Sequence, residues 1–135
     1  MTSPSLIKAA ASRAPWMAER LAELVWCESP SADPEALARC ARLLDEMGAE
    51  VFGRGARWVA PGPSPCLLWG GTAPSPVLVL GHFDTVWPVG TLTTWPYTVT
   101  DGIASGPGVF DMKAGIIQAL TAVSLLEDLG GVRLL

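Results

Sequence analysis

The sequence predicts an α/β fold, read as the front part of a larger domain. Three observations predict it. The apolar run Val77-Leu78-Val79-Leu80 reads as a buried strand and leads directly into Gly81-His82-Phe83-Asp84-Thr85-Val86. A second stretch, Gly106-Pro107-Gly108-Val109-Phe110-Asp111-Met112-Lys113, precedes a strongly apolar helical segment. Both therefore sit where strands of an α/β sheet end and functional loops begin. Finally, two helical patterns, a strand-rich middle and a third helical pattern are followed by residues 132–135, which open another strand.

The elements follow in order. Residues 16–26 read as a helix with Leu21, Leu24 and Val25 on one side, ended by Glu28-Ser29-Pro30-Ser31. Asp33-Pro34 is a strong helix start, because Asp accepts orphan N–H groups and Pro presets φ in the first turn. Leu37, Cys40, Ala41, Leu44 and Met47 then recur at helical spacing, and Gly48 is the expected stop. Residues 49–52 read as a short strand and 57–59 as another. Pro61-Gly62-Pro63-Ser64-Pro65 is a loop, since proline cannot continue a ladder. Residues 66–69 read as a strand, followed by a turn through Gly70-Gly71 and Pro74-Ser75-Pro76. The run 77–80, apolar on both faces, reads as a central strand. Residues 85–94 form a long loop. Tyr97-Thr98-Val99 and Ile103-Ala104-Ser105 flank Asp101-Gly102, a two-residue hairpin signal. Residues 113–129 read as a helix with Ile116, Ala119, Leu120, Val123 and Leu126 on one face, ended by Gly130-Gly131.

Composition bounds the function. Half of the 135 residues are apolar and 16% are charged, so burial is not limiting. The net charge of −4 comes with no basic stripe to neutralise phosphates, which argues against nucleic acid. No apolar stretch reaches the roughly 20 residues of a membrane span. The opening residues carry Lys8 and Arg13, break at Pro15 and continue with Glu19, Arg20 and Glu23, a poor signal peptide. The three cysteines, Cys27, Cys40 and Cys66, match no zinc knuckle or CxxC spacing and read as buried free thiols. A reducing, cytoplasmic location is the expectation.

His82 is the only histidine. It stands two residues from Asp84, so the two side chains share a face if the strand persists that far. A carboxylate there can accept one imidazole N–H while the other ring nitrogen binds a metal, which fixes the tautomer. Asp111 follows a Gly-Pro-Gly turn that lets backbone pack close and aims a carboxylate inward. One carboxylate can span two metal ions about 3.5–4 Å apart, the spacing of co-catalytic hydrolases. A zinc pair would acidify bound water and polarise an amide carbonyl. Spacing alone leaves ordinary roles open: a hydrogen-bonded loop histidine, a turn residue at Asp84, a helix cap at Asp111, and loop packing at Trp87 and Trp95.

Gly81-His82-Phe83-Asp84-Thr85-Val86-Trp87-Pro88 resembles the metal-binding strand motif of the zinc-dependent aminoacylase/carboxypeptidase family, which includes acetylornithine deacetylases, succinyl-diaminopimelate desuccinylases and dipeptidases. Residues 106–115 resemble its second motif. The Trp-Pro-x-Gly-Thr-Leu stretch at 87–92 is most similar to the glutamate carboxypeptidase branch. The resemblance is specific over 77–129 and weaker over 16–51. It implies a mixed-sheet zinc-peptidase catalytic domain, with residues 1–135 as its N-terminal part, truncated and without the smaller dimerisation domain. It implies that His82 binds one metal, that Asp84 orients His82 as the catalytic positioning group, and that Asp111 bridges two Zn²⁺ ions. Co²⁺ and Mn²⁺ share such ligands. It makes Asp111–Met112 a candidate for a cis peptide bond, and it leaves Lys113 and Gly115 structural, Lys113 capping or pairing locally.

The expected substrate is a small peptide or N-acyl amino acid, and a homodimer is admitted for a full-length relative. The family's general base, its adjacent metal-binding glutamate, a further acidic ligand and a terminal histidine have no counterpart in residues 1–135. Glu127 and Asp128, expected at the end of the preceding helix, cannot substitute. The chain by itself is expected to be inactive. Two other readings are a truncated non-catalytic remnant with at most weak metal binding, and an unrelated α/β binding module in which both motifs are coincidental.

Overall fold

The computed structural model describes residues 3–59, 64–74 and 76–135. Helix α1 (Ser3–Ser12) was not expected from the sequence; α2 (Ala14–Trp26) follows it through Arg13, whose carbonyl accepts from Met17 N at 2.9 Å. Pro15 lies in the first turn of α2, where its missing N–H costs no helical hydrogen bond. Leu24 and Val25 are buried, as the spacing predicts.

Helix α3 (Pro34–Phe52) begins as expected: Asp33 Oδ1 accepts the amides of Glu35 at 3.1 Å and Ala36 at 3.0 Å. Its end does not fall at Gly48. The helix runs through 49–52, where a strand was expected, and stops at Gly53, whose φ of 69° suits a left-handed cap. Gly48 serves packing instead. A Cβ there would lie 2.4 Å from Trp69 Cε2, so the missing side chain lets the indole lie against the helix.

Strands β1 (Arg57–Val59), β2 (Cys66–Gly70), β3 (Val77–Val79) and β6 (Val132–Leu134) form one sheet in the order β1-β2-β6-β3. β1 and β6 both run antiparallel to β2, while β3 runs parallel to β6, so the sheet is mixed. The proline loop expected at 61–65 lies mostly outside the described residues. β3 is not central. Its outer edge pairs with no strand among the described residues, and Leu78 and Leu80 are 55% and 68% exposed. An all-apolar run needs cover on both faces; here only the side of Val79 packs against the helices.

Short helix α4 (Thr91–Thr94) interrupts the expected loop. The Glu28 carboxylate accepts from the amides of Gly90 at 2.7 Å and Leu92 at 3.1 Å and so holds this turn in place. The expected hairpin is present as β4 (Thr98–Thr100) and β5 (Ile103–Ser105), in register Thr98 to Ser105. Asp101 and Gly102 both have positive φ, as a two-residue hairpin turn requires.

Helix α5 (Ala114–Ser124) ends well before 129, and Leu126 is exposed. Glu127 and Asp128 therefore lie beyond the helix rather than at its end. Asp128 Oδ1 accepts Gly130 N at 2.8 Å and folds the link into a turn instead. Gly130 then passes against Gly71 with no room for a side chain at Gly71.

The core joins α2, α3 and α5 to the inner faces of β2 and β6, through residues such as Leu24, Leu44, Trp69, Ile117, Leu120 and Leu134. Each such side chain contributes about 1.5–3 kcal/mol on burial. A second small cluster of Val25, Leu92 and Val109 fixes α4 and the 106–113 segment to α2. Among the described residues, no helix is long and apolar enough to cross a membrane.

Candidate metal centre

The sheet aims the first motif. Leu135 N donates to Val79 O and Gly81 N donates to Leu135 O, both at 2.9 Å, so ladder bonding persists past β3 up to Gly81. His82 emerges immediately afterwards. Residues 83–85 are then tied to 29–31: Ser29 Oγ donates to Phe83 O at 2.7 Å, Thr85 N to Ser29 O at 2.8 Å, and Ser31 N to Thr85 O at 2.9 Å. Ser29 is fully buried. The loop bearing His82 and Asp84 is thus pinned at both ends.

The second motif is aimed by glycine and a buried lysine. Gly108 has φ of 73°, and a Cβ on it would lie 2.6 Å from Thr85 Cγ2, so the two motifs touch there. Residues Val109–Lys113 form a kinked turn in which Asp111 and Met112 leave helical geometry, and the Asp111–Met112 bond is cis, as the resemblance implied. Lys113 is 1% exposed. Its Nζ donates to Leu24 O at 2.8 Å and Cys27 O at 2.9 Å, capping the C-terminus of α2. The role is structural but not local. Burial lowers its pKa, an effect opposed by Cys40, Cys27 and Glu28.

These supports bring His82, Asp84 and Asp111 together. His82 Nδ1 lies 3.3 Å from Asp84 Oδ1 and 3.2 Å from the Asp84 carbonyl oxygen. His82 Nε2 lies 3.0 Å from Asp111 Oδ1. Ser31 Oγ donates to Asp84 Oδ2 at 2.6 Å, a contact across 53 residues that no sequence signal announced. Burial disfavours the imidazolium, but the Asp111 hydrogen bond, the Asp84 carbonyl and both carboxylate charges outweigh it, and the His82 pKa is raised.

When Nδ1–H is directed to Asp84, the Nε2 lone pair and Asp111 Oδ1 face each other. Two acceptors at 3.0 Å need a positive charge between them, either a proton or a metal ion. Zinc ligands at about 2.0–2.1 Å in tetrahedral array stand roughly 3.3 Å apart, so the pair is close to a ligand bite. It is not a whole site. Among the described residues no group of three or more His, Cys, Asp or Glu side chains is placed to hold a metal. His82 and Asp111 thus fit part of a metal's coordination shell.

The pair opens into a cleft of about 310 Å³, bounded also by Ser31, Trp87 and Trp95. The two indoles meet edge to face, with centroids 5.1 Å apart and planes at 87°. His82 and Asp111 side chains are 47% and 80% exposed, so the site is open.

An α/β domain with a mixed sheet, in which a histidine just past β3 faces a carboxylate on the turn before α5, is the class that fold and site define. Residues 78–135 match the model of peptidase family M20/M25/M40, and the recognition of this family in the sequence is borne out. The chain is 28% identical over 129 residues to carboxypeptidase G2 of Pseudomonas sp. (strain RS-16), a match covering 93% of this chain and 31% of that protein. It is 43% identical over 53 residues to succinyl-diaminopimelate desuccinylase of Anaplasma marginale (strain Florida), covering 38% of this chain and 14% of that protein. The chain thus spans about a third or less of the length of these relatives, and its mixed sheet matches part of the family's catalytic domain.

Proposed function

We propose that residues 1–135 are the N-terminal part of a metal-dependent hydrolase acting on amide bonds, of the glutamate carboxypeptidase or N-acyl amino acid deacylase kind. The substrate is a small peptide or N-acyl amino acid, not nucleic acid, and the metal is zinc, with Co²⁺ or Mn²⁺ as alternatives. The observation that carries this reading is the convergence of His82 Nε2 and Asp111 Oδ1 at 3.0 Å, with Asp84 on the other ring nitrogen. The names of the relatives, a carboxypeptidase and a desuccinylase, point to the same amide chemistry.

Bound metal supplies Lewis-acid polarisation of the amide carbonyl and acidification of water. This chain's own residues hold and orient. His82 offers Nε2, Asp84 takes the Nδ1 proton and fixes the tautomer, and Ser31 fixes Asp84. Asp111 offers the carboxylate that would be shared between two ions. Remaining ligands and a general base are assigned outside this pair, because among the described residues no third His, Cys, Asp or Glu joins His82 and Asp111 in a group able to hold a metal. In the full-length protein a homodimer completes the proposal. A cytoplasmic location belongs to it too, supported by three free cysteines.

Calorimetric zinc titration of the chain, beside His82→Ala and Asp111→Ala, tests this. Zinc binding weakened at least about tenfold in both variants, with unchanged circular dichroism, supports the reading. Binding indifferent to both substitutions overturns it. No turnover of N-acyl glutamate is expected from this chain alone, and turnover would overturn the placement of the base outside it. A second reading, a non-catalytic remnant with weak metal binding, is favoured by one observation: the described residues group fewer than three metal donors. A full-length protein carrying this segment that binds no zinc tightly would establish that reading instead.

A further inference from the structure

A second cleft, of about 410 Å³, lies where residues 54–57 face Leu68, Gly70, Gly71 and Thr72, with Arg133 beside them. It stands at the other end of the sheet from the metal centre. Arg133 pairs with Gly70 near the start of β6, and Gly71 N donates to Val132 O at 3.0 Å. At the far end of the same segment, Leu135 O accepts the Gly81 amide next to His82.

Arg54, Arg57 and Arg133 all border this cleft, three of the nine Lys and Arg residues in a chain of net charge −4. No Asp or Glu borders it. Among the described residues none of the three arginines forms an ion pair with a carboxylate. The fold gathers them from distant segments. Arg57 opposes Leu68, and Arg133 opposes Gly70. Leu68 and Gly70 are two apart on β2, so Arg57 and Arg133 project from the same face of the sheet.

Two of the guanidinium groups are already held by backbone. Arg54 Nη2 donates to Gly70 O, and Arg133 Nε donates to Gly71 O at 3.1 Å. A Cβ at Gly70 would lie 2.2 Å from Val132 O, so glycine is what lets the chain pass here. A guanidinium carries five N–H donors in a planar fork, and one carbonyl leaves most of them free. The neighbouring carboxylates are engaged elsewhere. Asp45 accepts the Ala56 amide at 2.6 Å and the Trp58 indole N–H at 2.9 Å, and Asp128 accepts the Gly130 amide.

We propose that this cleft binds a phosphoryl group, either free phosphate or the phosphate of a small metabolite. This does not depend on the amide-hydrolase reading. Three guanidinium charges without a counter-charge repel one another, and a bound anion relieves that repulsion. A phosphate monoester brings three terminal oxygens and nearly two negative charges at neutral pH. It therefore matches several guanidinium forks better than a carboxylate does. The Gly70 and Gly71 carbonyls order two of the three side chains in advance, which lowers the cost of ordering them on binding. The volume falls within the range of small-molecule sites. The arginines form one local cluster and not a stripe, so the site takes a single anionic group and not a nucleic-acid backbone.

The test is a titration of the metal-free chain in low-salt buffer with inorganic phosphate, ribose 5-phosphate and acetate. It is followed by the arginine Nε–H signals in ¹H–¹⁵N spectra. Phosphate or the sugar phosphate should bind with a Kd at or below about 1 mM, and acetate at least about tenfold more weakly. Tighter binding of the sugar phosphate assigns the site to a metabolite, and tighter binding of inorganic phosphate assigns it to the free ion. Arg57→Gln and Arg133→Gln should each weaken binding at least about tenfold. His82→Ala and Lys8→Gln should leave it unchanged. A Kd above about 10 mM for both phosphates overturns the proposal. So does binding lost in His82→Ala but kept in the arginine variants, which would put the anion at the metal centre. Equal weakening in Lys8→Gln also overturns it, by reducing the effect to overall charge. If Arg133→Gln does not fold, Arg57→Gln decides, because Arg57 is exposed and forms no ion pair among the described residues.

Discussion

His82 Nε2 lies 3.0 Å from Asp111 Oδ1, so the chain's only histidine meets a carboxylate 29 residues away at the mouth of an open cleft. The contact requires the ladder bonds past β3, the Ser29 anchor on the Phe83 carbonyl, and the buried Lys113 behind Asp111.

Asp84→Asn should weaken zinc binding about 10–100-fold, the usual effect of removing a group that orients a ligating histidine. Its thermal midpoint should stay within a few degrees of the parent, because Asp84 is partly exposed and its loop is anchored by Ser29. Calorimetry and a melting curve on the same sample separate the two effects. A large fall in melting temperature with unchanged zinc affinity would make Asp84 a turn residue only.

Zinc affinity should fall as pH falls through the raised pKa of His82. Below it the imidazolium donates to Asp111 and offers no lone pair. In the metal-free chain the sign differs. The raised folded value means that His82 contributes stability below its unfolded pKa of about 6.5, lost as pH rises through the folded value. That contribution is small because the side chain is about half exposed. Titrations at several pH values in metal-free buffer and with zinc measure both slopes.

Lys113→Met should destabilise the chain by about 1–3 kcal/mol despite the similar volume, because the Leu24 and Cys27 carbonyls lose their buried donor. Urea unfolding measures it. A neutral result would mean that water or another group caps α2 equally well.

Gly48→Ala should cost about 1–3 kcal/mol through overpacking against Trp69, whose ring atoms lie 2.4–2.6 Å from the added methyl. Gly53→Ala meets no neighbour and should cost about 1 kcal/mol, from its left-handed φ alone. Chemical denaturation of both variants distinguishes a clash from a backbone effect.

The local signals were legible because they need only neighbours in sequence. Asp33-Pro34 capped α3, Asp101-Gly102 turned the hairpin, and the apolar spacing marked the buried faces of α2, α3 and α5. Where two local signals competed, the sequence misled. Gly48 looked like a helix stop, yet its missing side chain was needed by Trp69, 21 residues on. The helix expected to 129 ended at Ser124, because Asp128 bonds the Gly130 amide and turns the chain toward β6.

By itself, the sequence determined the type of most elements, though not α1, α4 or the last turn of α3, together with the hairpin and which three side chains to watch: His82, Asp84 and Asp111. Only the tertiary structure decided that β3 lies at the end of the sheet, that Ser31 and Glu28 are structural partners of residues more than 50 positions away, and that Lys113 caps α2. The physical reason is range. Capping, turn chemistry and hydrophobic period act over a few residues and are written in the local pattern. Strand order, buried donors and converging ligands depend on which distant groups are left without a partner once the core has closed.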